Sequence, residues 1–399
     1  MIGMQEEIET LHLTDKDHDF IKDPQVFLPS YIPQKIYIRD EFEKLYLKLS
    51  GSQPVAPLYM VVGRRGSGKT LFARSLALRL GDAGIPSFYV DATTQNTSRK
   101  ILGHILLQPR QEYRELLDLF ISRVGRSGSG SVYLIIDNAQ FLKDMDLMEH
   151  FLRHQELGIK FITTSLGDFW SYALLRKFKN LTPERIDLHD YGPDELFQIM
   201  EYRAGLGLVS HDQQSLRAVA EYIAGEYRGD SSVAVRILPR IASAGWPRER
   251  ERIEPLVRGF IEQDLMAILR DLPERDLMVL FSAIYEHDLE PLYSVSSRFA
   301  REILSYGLSQ DRIRTAINNL VNMGLVVFVP ADRGSGDSGG QRQRYSLRIA
   351  FDRRLVVMEV VKRYRSRLRE ILADPANQVG STIRFHSSFS YFRQYFLGD

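Results

Sequence analysis

Eight consecutive residues, Gly63-Arg64-Arg65-Gly66-Ser67-Gly68-Lys69-Thr70, constrain this chain more than any other stretch. They fill every fixed position of the pattern G-x-x-x-x-G-K-[ST], directly after the apolar run PLYMVV (57–62) and directly before LFARSLALRL, which has helical spacing. A strand that turns through glycines into the start of a helix aims backbone N–H groups at one point, where phosphate oxygens are held. Lys69 is then placed to reach the outer phosphates and Thr70 to ligate Mg²⁺. The loop predicts a site for ATP with Mg²⁺, lined by all eight residues.

The flanking sequence carries the fold that such a loop needs. Short apolar runs at 57–62, 86–91, 131–137, 160–165 and 184–191 alternate with helical periodicity. That alternation predicts an α/β domain built on a parallel five-stranded sheet. From about 193 to 271 the strands stop and amphipathic helices take over. After DLPERD three more helical segments run into LVVFVP, a glycine-rich stretch and RYSLRIAF. Three helices followed by a two-stranded ribbon predict a winged helix, a variant of the helix-turn-helix. The expected boundaries are an N-terminal extension (1–30), a nucleotide-binding base (31–192), a helical lid (193–271), a winged helix (272–370) and an aromatic tail (371–399).

The second acidic element falls where the strand order requires it. LIIDNAQFL (134–142) ends an apolar strand on Asp137, which is expected to hold Mg²⁺ through water together with Thr70. The next residue is Asn138, where a carboxylate would normally prepare the attacking water. An amide can orient water but cannot take up its proton, so slow turnover is expected. Gln140 and Asp146 are the nearby candidates for compensation. Thr164 and Ser165, closing KFITTS, stand where a polar strand end would touch the γ-phosphate or the water; capping the following helix is the equally weighted alternative.

Composition matters mainly through its distribution. The 399 residues have a net charge of +1, yet residues 331–369 hold eleven Arg or Lys against four Asp or Glu. This late basic concentration follows the helix SQDRIRTAINNLVNMG, whose Gln310, Arg312, Arg314, Asn318 and Asn319 lie off its apolar face. Those side-chain types make paired hydrogen bonds to base edges, and Arg333, Arg342 and Arg344 flank the tip of the expected wing. Double-stranded DNA is the expected partner. The tail places Phe385, Phe389, Tyr391, Phe392, Tyr395 and Phe396 within twelve positions, a cluster that needs burial in this chain or on a protein partner. With no cysteine and no apolar run of ~18 residues, neither a disulfide framework nor a membrane helix is expected, and a cytoplasmic setting follows.

Taken in order, FLPSYIPQKIYIRDEFEKLYLKL, the phosphate loop, DYGPDELFQIMEYRA, the Gly229-Asp230 pair opening a helix and the C-terminal helix-and-ribbon pattern resemble the archaeal origin-recognition initiators, the Orc/Cdc type of AAA+ ATPase. The resemblance spans roughly residues 20–370. It implies an AAA+ base and lid that hold ATP between them, a winged helix on duplex DNA, and self-assembly through AAA+ surfaces. It also implies a lid arginine soon after Gly229-Asp230, where this chain has Ser231, leaving Arg228 or Arg236 as substitutes. The subunit-bridging arginine it implies falls close to Asn180, while Arg176 occupies another family-like basic position. Two other readings stay open: a mobile-element or transposition regulator, suggested by D-N-A-Q, and a defence or signalling NTPase whose winged helix binds protein.

Overall fold

In the computed structural model, residues 19–28, 30–33, 39–51, 56–125, 131–167, 169–178, 181–330 and 345–373 are described. The chain divides into two compact units, Met1–Ile261 and Glu262–Asp399.

The first unit opens with α1 (Asp40–Ser50), then β1 (Leu58–Gly63), α2 (Lys69–Asp82), β2 (Ser87–Asp91), α3 (Ser98–Ile105), α4 (Tyr113–Gly125) and β3 (Val132–Asp137). It continues through α5 (Asp146–Arg153), β4 (Ile159–Leu166), α6 (Phe169–Lys177) and β5 (Glu184–Leu188). The five strands form one sheet in the order β2-β3-β4-β1-β5, every pair parallel. Both faces are covered, so the central strands are apolar throughout rather than alternating. Leu58, Met60, Leu134 and Ile136 enter one core, whereas Tyr59, Val61, Tyr133 and Ile135 enter the other. The order brings the carboxyl ends of β1, β3 and β4 side by side, with β2 next to β3. This is a parallel α/β fold with the phosphate loop at the carboxyl end of β1.

Helices α7 (Pro193–Gly207), α8 (Gln213–Glu226), α9 (Ser231–Arg236) and α10 (Leu238–Ser243) build a separate core, closed by Ile253, Val257 and Phe260. Val26, Phe27 and Leu28 belong to this core, although the sequence placed residues 1–30 in an extension. Two contacts explain their place. A Cβ on Gly207 would sit 2.4 Å from the Phe27 ring, so glycine leaves the space that the ring fills. Arg203, buried, donates to the Val26 carbonyl at 2.7 Å and stacks on Tyr31, and burial lowers its pKa to about 10.

The division between units falls within α11 (Arg250–Asp271). The second unit holds α12 (Glu274–Ser282), α13 (Leu289–Leu304), α14 (Gln310–Asn322), β6 (Val326–Pro330), β7 (Tyr345–Ile349) and α15 (Arg353–Ala373). Strands β6 and β7 pair antiparallel, from Val326 opposite Ile349 to Pro330 opposite Tyr345. Residues 331–344, with Arg333, Arg342 and Arg344, lie outside the described residues, as do the tail aromatics. Among the described residues, no helix is long and apolar enough to cross a membrane.

Candidate functional site

The loop between β1 and α2 owes its shape to three glycines. Gly66 and Gly68 have φ of +75° and +84°, a region that side chains other than glycine adopt with strain. Gly63 is extended, but a Cβ there would meet the Ser67 hydroxyl at 2.5 Å. The loop is also packed from outside. A Cβ on Gly68 would lie 2.5 Å from the Tyr191 hydroxyl, and one on Gly66 would overlap Asp230. Ser231, opening α9, donates to the Gly66 carbonyl through its backbone N–H at 3.1 Å and its hydroxyl at 2.7 Å. The lid thus holds the loop directly through the residue that stands where the resemblance implied an arginine.

Lys69 is buried, with Nζ donating to the Arg64 carbonyl at 2.5 Å. Burial lowers its pKa to about 8, partly offset by the Asp137 and Asp230 carboxylates. An ammonium that has lost much of its water gains most from an anion placed beside it. Thr70 follows it at half-buried depth. Arg64 and Arg65 are exposed, with Arg64 3.8 Å from Asp190.

At the end of β3, Asp137 is fully buried and accepts from three side chains. Thr164 donates to Oδ1, the Tyr89 hydroxyl donates to Oδ2 at 3.0 Å, and the Asn138 amide lies 3.5 Å from Oδ2. Burial, then the Asp137 charge, raises the Tyr89 pKa, which keeps that phenol a donor. Asp137 and Thr70 form a two-ligand set of the kind Mg²⁺ uses when phosphate oxygens and water complete its shell, so the residues present fit that ion.

Asn138 adopts φ +56°, where asparagine is among the better-tolerated residues. Its backbone N–H donates to Thr164 Oγ1 at 3.0 Å, and its Nδ2 donates to Asp91 Oδ1 at 3.3 Å. Thr164 therefore serves Asp137 and Asn138 together. Ser165 is buried one residue further along β4, opposite Val62.

Other expected residues are placed differently. The Arg236 guanidinium lies 5.1 Å from the Phe260 ring centroid, and the residue is buried. Arg228 is exposed at φ +51°. Asp146 opens α5 and bears on Tyr113, whose pKa burial and nearby carboxylates raise to about 12; Gln140 is buried just after Asn138. Arg176 is exposed in the last turn of α6. The sequence reading missed Tyr89, Asp91, Tyr191 and Asp230. Of these, Asp230 alone carried a local signal, as the helix-opening partner of Gly229.

On α14, Gln310, Arg312 and Arg314 are exposed and Asn318 is half-buried. Among the described residues, Arg314 has a long, exposed pairing with Asp311 at 3.4 Å, of the kind that contributes little. Asn319, grouped with them in the sequence, donates its amide at 3.0 Å to Asp276, a buried carboxylate also paired with Arg275 at 2.7 Å. Leaving that carboxylate short of a donor would be unfavourable, so Asn319 is held inward.

Residues 55–165 match the model of the AAA domain. Among solved structures, the chain is similar to the ORC1 protein of Aeropyrum pernix, solved in complex with DNA, at 21% identity and a TM-score of 0.60, covering 89% of this chain and 100% of that one. It is also similar to the ORC2 protein of the same organism, solved as ADPNP–ADP complexes, at 18% identity and a TM-score of 0.53, covering 88% and 100%. No curated protein matches the chain in sequence.

Proposed function

We propose that this chain, which carries an AAA domain within an Orc/Cdc-type fold, is an ATP-controlled DNA-binding switch of the replication-initiator kind with slow hydrolysis. One observation carries the reading. The groups that bind a magnesium triphosphate are assembled and supported, while the position that would prepare water is an asparagine fixed by its backbone conformation. ATP would sit against the N–H groups of Gly66–Thr70, with Lys69 at the outer phosphates and Mg²⁺ held by Thr70 and Asp137. Arg176 is left to reach a neighbouring subunit in a self-assembled form.

The DNA half of the proposal rests on the exposed Gln310, Arg312 and Arg314 of α14, followed by an antiparallel ribbon, β6 and β7, and by the basic composition of the sequence from 331 to 369. Similarity along nearly the whole chain to a protein solved in complex with DNA supports it. That extent also favours the initiator-like reading over a mobile-element regulator, which assembles on DNA without such a domain. Equilibrium binding of a fluorescent ATP analogue and of labelled random-sequence duplex by the full chain tests both halves. Saturable binding of each is expected. Absence of either removes the corresponding half.

A further inference from the structure

The missing carboxylate of β3 has a counterpart one strand away. β2 ends on Asp91, in register with Asp137, and the pairing continues past both residues through the Ala92 N–H to the Asp137 carbonyl at 2.9 Å. Alternation along the strand puts Asp91 on the same side of the sheet as Tyr89, which donates to Asp137. The Asp91 Oδ1 accepts from the Thr93 N–H at 2.9 Å and from the Asn138 amide at 3.3 Å. Among the described residues nothing donates to its Oδ2, and the side chain is only half-buried, so water reaches it. The Asn138 amide thus stands between two carboxylates, Asp91 and Asp137, and donates toward both.

At the ends of two neighbouring strands stand one amide, on β3, and one half-buried carboxylate, on β2. A second carboxylate at position 138 would face Asp91 as a like charge, whereas the amide fixes the Asp91 orientation and leaves its charge intact.

We propose that Asp91 is the proton acceptor for the water that attacks the γ-phosphate, an inference that rests on the ATP-site reading above. The water oxygen forms a bond to γ-phosphorus. The bond from γ-phosphorus to the bridging oxygen breaks with its electron pair remaining on ADP, and the water proton passes to Asp91 Oδ2 and then to solvent. Asn138 acts as a positioning residue through its amide.

The test uses the full chain with Mg²⁺, comparing wild type with Asp91→Asn, which keeps the Oδ1 acceptor for Thr93 and removes only the proton acceptor. Turnover is expected to fall by about 10²-fold or more, as when a general base is lost. Affinity for a non-hydrolysable ATP analogue should be unchanged, and nucleotide recovered from the variant should remain ATP. Adding Asn138→Glu to Asp91→Asn should restore turnover, because it returns a carboxylate to the same pair. If Asp91→Asn binds the analogue and hydrolyses ATP at the wild-type rate, the proposal is overturned while the ATP site stands. If wild type does not bind the analogue, both fall. Should Asp91→Asn not fold, Asp91→Glu against Asp91→Gln makes the same comparison, and equal turnover of those two overturns it.

Discussion

Around Gly63–Thr70 the polar side chains are buried and tied to one another, whereas those that α14 offers stand in solvent. Lys69, Asp137 and Thr164 each meet a named partner at hydrogen-bond distance, while Arg312 and Gln310 are exposed. The contrast follows from what each would hold. A triphosphate is small, and its charges must be met by groups already oriented, since catalysis of phosphoryl transfer is mostly positioning and charge neutralisation. A duplex is large and hydrated; long side chains can arrange themselves on it and exchange its counterions at the moment of binding. The same substitution should therefore do different things in the two places.

The largest effect is expected at the buried site. Lys69→Met should abolish ATP-analogue binding at concentrations that saturate wild type, without lowering the melting temperature of the nucleotide-free protein, because it replaces a charge that burial disfavours. Retained affinity would break the contrast. Next, Asn138→Glu with Asp91 in place should not raise steady-state turnover, because it removes the amide that orients Asp91 and sets a like charge against it. It should also lower stability by about 1 kcal/mol, since glutamate tolerates the left-handed conformation less well than asparagine.

On the exposed side, Arg312→Ala or Arg314→Ala should weaken binding at a preferred duplex by about 1–3 kcal/mol per lost base contact, with no change in melting temperature. Asn319→Ala should show the reverse, destabilising the second unit through Asp276 before it touches DNA affinity. Arg342→Ala with Arg344→Ala should weaken binding to all sequences and reduce the salt slope by about one per lost phosphate contact.

The smallest effect concerns pH. Lys69 in the nucleotide-free fold titrates near 8, below its ordinary 10.5. Between those values the unfolded chain holds more protons, so this group's contribution makes stability rise as pH rises through that window. Chemical denaturation at several pH values should show that component in wild type and not in Lys69→Met.

Much of the fold could be read from the sequence because its signals are local. The phosphate loop is eight contiguous residues, and the strands announce themselves as apolar runs; Asp137 needed only the expectation of an acidic strand end. What could not be read depended on neighbours brought together by sheet order or by packing between helices. Asp91 and Asn138 are 47 positions apart and meet only because β2 lies beside β3. Asn319 looks like any polar residue off an apolar stripe until Asp276, 43 positions earlier, turns out to be buried beneath it. Arg236 stands close to Gly229-Asp230 in sequence, and only the fold shows that Phe260 of a later helix lies 5.1 Å from its guanidinium. Asn138 itself looked like a lost carboxylate, and its backbone conformation supplies a reason for asparagine that no spacing could show.

The claim that the two regions form one switch is tested most directly by duplex affinity as a function of nucleotide. Labelled duplex would be titrated with the full chain alone, with ADP and with ATP plus Mg²⁺, for wild type and Lys69→Met at one salt concentration. A nucleotide-controlled switch predicts that wild-type affinity differs between the ATP and nucleotide-free states by at least about fivefold, the lower end of ordinary coupling between sites, and that Lys69→Met binds identically in all three. Wild-type affinity that is the same with and without saturating ATP would contradict it.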